Sequence, residues 1–153
     1  LDHPLAFMLG TFSASGTSLF NGPTKWNIEI KKDDSDVNKV WITNMVLNWS
    51  LPKYPIYGTV NEDKTELRIP VEQNTAKTSS AYYWLEAFGG VDGDNLVDPV
   101  EDFMVCPITT DANGNAVIKI PYVFGVFVTS DAAGNDGQGW AEIINNAELR
   151  KAN

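Results

Sequence analysis

A two-residue alternation of apolar and polar side chains runs through this chain in short segments, and few folds are compatible with it. Trp26, Ile28 and Ile30 project to one side while the residues between them are polar, as a half-buried strand requires. Short strands at regular spacing predict an all-β sandwich or barrel. The pattern predicts strands at 7–17, 25–33, 38–47, 56–61, 65–71, 80–89, 103–110, 115–130 and 138–151.

Turn-forming residues separate the predicted strands. Residues 33–36, 61–64 and 111–115 each place Asn, Asp or Gly where the chain must reverse, and 131–136 is predicted to be another turn. Consecutive strands joined in this way pair antiparallel, so an up-and-down meander is the simplest topology. Closing the meander into a barrel would leave no exposed sheet edge, and we therefore predict an antiparallel up-and-down β-barrel.

Two longer connections interrupt the rhythm. Residues 47–55 combine two prolines with two aromatic side chains, and residues 89–99 are rich in Gly and Asp. At the end of the second connection, residues 98–101 have the pattern of a helix start, with Asp98 at the N-cap, Pro99 at the first position and Glu101 at the third. We predict at most one short helix, at this point.

The length and the absence of linkers favour a single domain. A chain of 153 residues lies in the size range of one hydrophobic core, and no internal repeat or low-complexity tract marks a boundary. We therefore predict one domain over 1–153. The tail 145–151 is compatible with a strand or a helix, and we predict a strand.

The charge balance excludes two classes of partner. Acidic residues number 20 against 11 Lys and Arg, which gives a net charge of −9, and the longest basic run is Lys31-Lys32. Nucleic acids and anionic membranes are bound by clustered Lys and Arg, so neither is an expected partner. No run reaches the roughly 18 apolar residues of a transmembrane helix. Because the chain opens at Leu1 without Met, we expect a processed or trimmed form.

The chain offers little for nucleophilic catalysis. Its only imidazole is His3, near the terminus, and no Gly-x-Ser-x-Gly elbow is present. The single cysteine, Cys106, lies in an apolar run, so we expect a buried small hydrophobic residue rather than a nucleophile. One cysteine also excludes an internal disulfide.

Carboxylates are the remaining acid–base candidates. A glycosidase would need two of them facing one cleft, and the candidates are Glu66, Glu86, Glu101 and Glu142. Alternation places Glu86 in register with Tyr82, Trp84 and Phe88. The barrel interior is one position for this carboxylate, and the barrel mouth or the solvated face is the alternative. No spacing selects a catalytic pair, so no catalytic residue is predicted.

Residues 92–102 carry many oxygen ligands of the kind that calcium prefers. The segment lacks the glycine and the terminal glutamate of the twelve-residue calcium loop. We therefore expect a solvated acidic loop, with calcium as the alternative, and predict no metal ligand and no cofactor.

Aromatic residues are the best candidates for ligand contacts. Trp49, Tyr54 and Tyr57 lie in or beside the proline-rich loop, where flat rings can stack on sugars or cover an apolar ligand. Packing is the favoured interpretation of these three residues, and ligand contact is the alternative. The tryptophans inside alternating segments are expected to fill the barrel interior: Trp26, Trp41, Trp84 and Trp140.

Several short motifs, taken in order, resemble the lipocalin-like barrels of secreted lipoproteins from Gram-negative gut-type bacteria. The motifs are the Gly-Thr-Phe-Ser-Ala-Ser-Gly segment 10–16, a strand led by Trp26, and the segments 39–44, 57–60, 67–71, 139–140 and 148–151. The resemblance spans nearly the whole chain. It implies a calycin-type barrel of eight to ten strands outside the cytoplasm, in the periplasm or at the cell surface, with a lipid anchor upstream of Leu1. It supplies no catalytic set.

The leading functional hypothesis is a non-catalytic binding module for a small apolar molecule or a glycan. Its predicted ligand-binding residues are Trp49, Tyr54, Tyr57, Tyr82, Trp84 and Glu86. A structural or protein-interaction domain of a surface assembly is the alternative, and a lipid or glycan hydrolase is the third hypothesis. An open interior would favour ligand binding, whereas a filled interior would direct attention to the outer surface and favour the interaction domain.

Overall fold

The computed structural model describes residues 2–46 and 54–152, which form one antiparallel sheet of twelve strands and a single 3-10 turn at Ala6–Met8. The strands are β1 (Gly10–Ser18), β2 (Gly22–Lys32), β3 (Lys39–Thr43), β4 (Ile56–Val60), β5 (Glu66–Pro70), β6 (Asn74–Lys77), β7 (Tyr82–Asp92), β8 (Asn95–Pro99), β9 (Phe103–Thr110), β10 (Ala116–Ile120), β11 (Val123–Thr129) and β12 (Gly137–Lys151).

Eight of these strands close into a barrel. They follow the order β1-β2-β3-β4-β5-β9-β10-β12, and β12 returns to pair with β1. In the closing pair Ala14 lies opposite Leu149, and in the next pair Ala14 lies opposite Trp26. The prediction of an all-β antiparallel barrel is therefore confirmed.

The other four strands, β6, β7, β8 and β11, extend the same sheet outside the barrel. β12 joins the two parts, because Ala147 to Arg150 pair with β10 whereas Gly137 to Ile144 pair with β11. β7 then pairs with β11, β6 and β8. These outer strands hold the surface on which the candidate site lies.

Side chains fill the barrel interior. One hydrophobic cluster takes residues from every barrel strand, each at most 1% exposed: Phe12, Ile28, Ile30, Ile42, Ile56, Leu67, Ile69, Met104, Ile118 and Leu149. Leu5 and Met8, from the N-terminal turn, belong to the same cluster. Because large aliphatic and aromatic side chains occupy this space, the interior is a packed core of the kind that small eight-stranded barrels form.

The helix that residues 98–101 permit does not form. Asp98 and Pro99 instead end β8, and the amide of Val100 donates to the carbonyl of Ala87 at 2.9 Å. Asp98 has a φ of 55°, which is not the extended backbone of an N-cap residue. Strand pairing with β7 therefore overrides a local capping signal.

The strand prediction for the tail is confirmed, since β12 runs to Lys151. The predicted strand 115–130 forms two strands, β10 and β11, which follow one another along β12 and are separated by Pro121 and Tyr122. β6 and β8 were not predicted. Within the described residues no helix is long and apolar enough to cross a membrane.

Candidate functional site

Of the positions left open for Glu86, the structure shows the outer face and not the barrel interior. In β7 the buried residues are Leu85 and Ala87, at 0% and 1% exposure, so Trp84, Glu86 and Phe88 lie on the opposite face. Alternation separates the two faces of a strand without saying which one meets the core. Here the smaller aliphatic set packs inward, and the aromatic set with its carboxylate faces outward.

The tryptophan prediction is wrong for the same reason in three of four positions. Trp26 is buried at 6% exposure, as expected. Trp41, Trp84 and Trp140 are only partly buried and do not belong to the core cluster. Three large aromatic side chains are therefore available on the outer surface.

A cavity of about 230 Å³ opens on the outer face of β7 and β11. It brings together Trp84 and Glu86, both predicted as ligand-binding residues, and adds side chains from a neighbouring strand and two turns. Its lining consists of Glu72, Trp84, Glu86, Phe127, Thr129, Ala133 and Gly134. Aromatic walls and two carboxylates thus meet in one small space.

The indole of Trp84 is held in place by a chain of hydrogen bonds. Its Nε1–H donates to the hydroxyl of Thr129 at 2.8 Å, and that hydroxyl donates to the carbonyl of Asp131 at 2.8 Å. The turn also packs on the ring, since a Cβ at Gly134 would lie 3.6 Å from the indole nitrogen. Because the Trp84 side chain is already fixed, little conformational entropy is lost when a ligand binds against its ring.

The turn after β11 forms the second wall. The predicted turn 131–136 is confirmed, and the Asp131 carboxylate accepts the amides of Ala133 and Asn135 at 3.1 and 2.9 Å. Gly134 has a φ of +77°, in the left-handed region that glycine adopts without strain. These contacts fix the turn beside Trp84, so that its backbone lines the cavity.

Glu86 has an unusual electrostatic environment. Burial removes part of its hydration, the nearby Glu72 repels its charge, and together they raise the pKa of Glu86 from 4.5 to about 7. Within the described parts of the chain, no hydrogen bond or ion pair engages its carboxylate. Near neutral pH this group is therefore divided between its acid and carboxylate forms.

Glu72 reaches the cavity from the connection between β5 and β6. It has a φ of 61°, and its amide donates to the carbonyl of Leu85 at 2.6 Å, which ties this connection to β7. Its side chain is exposed. The cavity therefore holds one half-buried and one solvated carboxylate.

The remaining predicted ligand residues do not line this cavity. The Tyr82 ring lies 5.1 Å from the Lys77 ammonium, and the Tyr57 ring makes an edge contact with Trp41 at 6.1 Å. Tyr54 is 42% exposed. Trp49 lies outside the described residues, so the predicted aromatic rim of the 47–55 loop stays a prediction.

A second set of aromatic side chains continues the same outer face. The ring of Trp140 makes edge contacts with Phe127 at 5.1 Å and with Phe88 at 5.7 Å. Beyond Trp140 lies a shallow groove of about 460 Å³, lined by Leu19, Phe20, Val91, Gly93, Asp94, Leu96, Trp140 and Ile143. Phe20 is 54% exposed there, so this outer face carries an apolar groove as well as the cavity.

The other predicted acid–base and thiol residues lie apart from the cavity. Glu142 is buried and accepts a hydrogen bond from Ser18, Glu66 pairs with Arg68 at 3.2 Å, and Glu101 is exposed. Cys106 is buried, as predicted, and burial raises the pKa of its thiol to about 12. Among the described residues no group of three or more His, Cys, Asp or Glu side chains is arranged to hold a metal ion.

Sequence reasoning missed Glu72, Phe127 and Thr129. Phe127 alternates with Val126 and Val128 in an apolar segment and looks like any core residue. Its outward direction follows only from the pairing of β11 with β7, which places Phe127 opposite Trp84. No sequence motif marks Glu72. Its position near Glu86 depends on the hydrogen bond that joins the β5–β6 connection to β7, in which the Glu72 amide donates to the Leu85 carbonyl.

Comparisons with known proteins leave the chain without an assigned relative. No family model, no curated protein and no solved structure matches it.

Proposed function

We propose that this domain is a non-catalytic binding module that holds a small sugar, or the end of a glycan, in the outer cavity between β7, β11 and the 131–136 turn. The observation that carries the proposal is the meeting of Trp84 and Glu86 with Phe127 and Glu72 in one cavity. Aromatic rings stack on the apolar faces of sugars, and carboxylates accept hydrogen bonds from sugar hydroxyls.

Among the described residues, the filled interior leaves no room for a ligand inside the barrel and so favours the interaction-domain alternative over an internal binding site. The binding hypothesis therefore depends on the outer surface. Phe12, Ile28 and the other core residues occupy the space in which an open barrel would hold an apolar molecule. An apolar ligand also suits the outer cavity poorly, because Glu72 and Glu86 would lose hydration without gaining a partner. A polar ligand with one apolar face satisfies both kinds of lining residue.

The size of the cavity restricts the occupant. Its volume of about 230 Å³ is below the roughly 300 Å³ at which ordinary ligand pockets begin. We therefore expect one sugar ring or one terminal residue to enter, with the rest of a longer glycan lying outside.

The cavity is a better candidate than the apolar groove for this role. The groove is larger and more open, but of the described residues that line it only Asp94 is charged. Specific ligand sites usually combine apolar walls with a few convergent polar groups, and the cavity has two such groups in Glu72 and Glu86. In the interaction-domain alternative, the groove is the surface that would contact a protein partner.

The cellular setting is part of the proposal. Closure of eight antiparallel strands supports the lipocalin-like barrel that the sequence resemblance implies. We propose that the domain is carried by an extracytoplasmic lipoprotein, where a sugar-binding cavity would meet glycans of the periplasm or the cell surface.

Calorimetric titration of the purified domain with a panel of monosaccharides tests the binding function. We expect at least one sugar to bind, and Trp84→Ala to weaken its binding at least tenfold because the fixed stacking surface is lost. Trp41→Ala is the matched control, since Trp41 is also partly buried but contacts Tyr57 and Asp33 instead of the cavity. Equal affinities in all three proteins, or no binding to any sugar, would overturn the proposal.

A further inference from the structure

The outer cavity is electrostatically one-sided. Two of its seven lining residues are carboxylates, and within the described residues neither Lys nor Arg lines it. The Lys77 ammonium, on β6, is engaged with the Tyr82 ring and is absent from the lining. Among the described residues, the cavity therefore brings two carboxyl groups together without a cationic side chain beside them.

The walls of the cavity favour a positive charge as well. The faces of indole and phenyl rings carry negative potential and attract cations. Trp84 and Phe127 form these walls, and the hydrogen bond from Trp84 to Thr129 prevents the indole N–H from serving the ligand. The carboxylates and the aromatic rings of the lining therefore both favour a positively charged ligand.

Partial burial of Glu86 strengthens its attraction for a cation. An unpaired carboxylate that has lost hydration gains more from a cation than a solvated one does. Glu86 is such a group, and repulsion from Glu72 raises the free energy of its charged form further. A cation between Glu72 and Glu86 would offset the lost hydration of Glu86 and the repulsion between the two carboxylates.

We propose that the cavity recognises a protonated amine on a small ring, such as the free amino group of an amino sugar, which lies between Glu72 and Glu86 with the ring against Trp84. This inference rests on the proposed binding function and names its ligand class. A neutral sugar and an N-acetylated sugar have the same ring but lack the charge, and they are therefore expected to bind more weakly.

The test compares glucosamine, glucose and N-acetylglucosamine as calorimetric ligands at pH 7 and low salt, where about half of Glu86 is ionised before the ligand binds. We expect the wild-type domain to bind glucosamine at least tenfold more tightly than either neutral sugar. Glu86→Gln, which keeps the shape of the side chain, is expected to reduce this preference to less than threefold. Raising the sodium chloride concentration is expected to weaken glucosamine binding more than glucose binding.

Glu66→Gln is the matched control, because Glu66 is a solvated carboxylate that pairs with Arg68 away from the cavity. It is expected to retain the wild-type preference. Equal binding of glucose and glucosamine, with both lost in Trp84→Ala, would overturn the amine inference and leave the sugar-binding function standing. Failure of all three sugars and of the wider monosaccharide panel would overturn both.

Discussion

At the scale of single residues, the buried side chain of Glu142 is held by hydrogen bonds from two parts of the chain. Glu142 is 2% exposed, and its Oε1 accepts hydrogen bonds from the hydroxyl of Ser18 and the amide of Ile143. The Ser18 hydroxyl in turn accepts the amides of Phe20 and Asn21 at 3.1 Å. One serine therefore links β12 to the turn between β1 and β2.

Removing the Ser18 hydroxyl should destabilise the domain. Ser18→Ala leaves a buried carboxylate with one donor fewer, and we expect the free energy of unfolding to fall by about 1–3 kcal/mol. Urea denaturation followed by tryptophan fluorescence measures the change. Ser13→Ala, at an exposed position of the same strand, is expected to stay within about 0.5 kcal/mol of wild type. Equal effects of the two substitutions would contradict the role given to Ser18.

At the scale of strands, the bend between β10 and β11 separates the barrel from the outer sheet. Pro121 lies at this bend and has no N–H to donate. The Tyr122 hydroxyl accepts the Val105 amide at 3.1 Å, so β9 keeps a hydrogen-bond partner where its pairing with β10 has ended. β11 then pairs with β7 instead of β9, and this exchange creates the face that bears Trp84 and Glu86.

Close approach of β11 to β12 requires a glycine at position 125. A Cβ there would lie 2.2 Å from the Glu142 carbonyl oxygen, a distance that no rotamer change relieves. We expect Gly125→Ala to lower the free energy of unfolding by about 3 kcal/mol, because the two strands must separate. Gly90→Ala is the control, since its Cβ would meet only a Val97 methyl group at 3.9 Å. Similar denaturation midpoints for both variants would show that the β11–β12 approach is not tight.

The strands show which parts of the fold local patterns can predict. Alternation predicted the strand at 25–33 because Trp26, Ile28 and Ile30 share one buried face. β6 and β8 are short strands that pair with β7, and their residues carry no comparable alternation. No helix forms at 98–101 because the hydrogen bonds between β8 and the preceding strand, β7, outweigh a local cap.

At the scale of the whole molecule, the barrel was predictable and the site only in part. Regular strand spacing and tight turns favour closure, whichever residues fill the interior. The sequence also singled out Trp84 and Glu86, yet placed Trp84 inside and left the position of Glu86 open, since the direction of a strand face depends on its sheet partners. Glu72 and Phe127 come to the site through the outer sheet, which follows from tertiary pairing alone.

The pH dependence of global stability should reveal two carboxylates with opposite shifts. The Trp41 indole N–H, with the amides of Asp36 and Ser35, holds the pKa of Asp33 well below its usual range. A lowered folded-state pKa gives stability that is present above the ordinary value and is lost as the pH falls through the folded value. Asp33 therefore contributes to a loss of stability in acid.

Glu86 acts in the opposite direction. Its pKa is raised from 4.5 to about 7, so the folded protein holds a proton that the unfolded chain releases between these values. The resulting stability is fully present below pH 4.5 and is lost as the pH rises towards 7. We therefore expect the urea midpoint of the wild type to decline across this window, and Glu86→Gln to remove most of the decline and to be the more stable protein at pH 7.5. Glu66→Gln should follow the wild-type curve, and parallel curves for wild type and Glu86→Gln would contradict the environment assigned to Glu86.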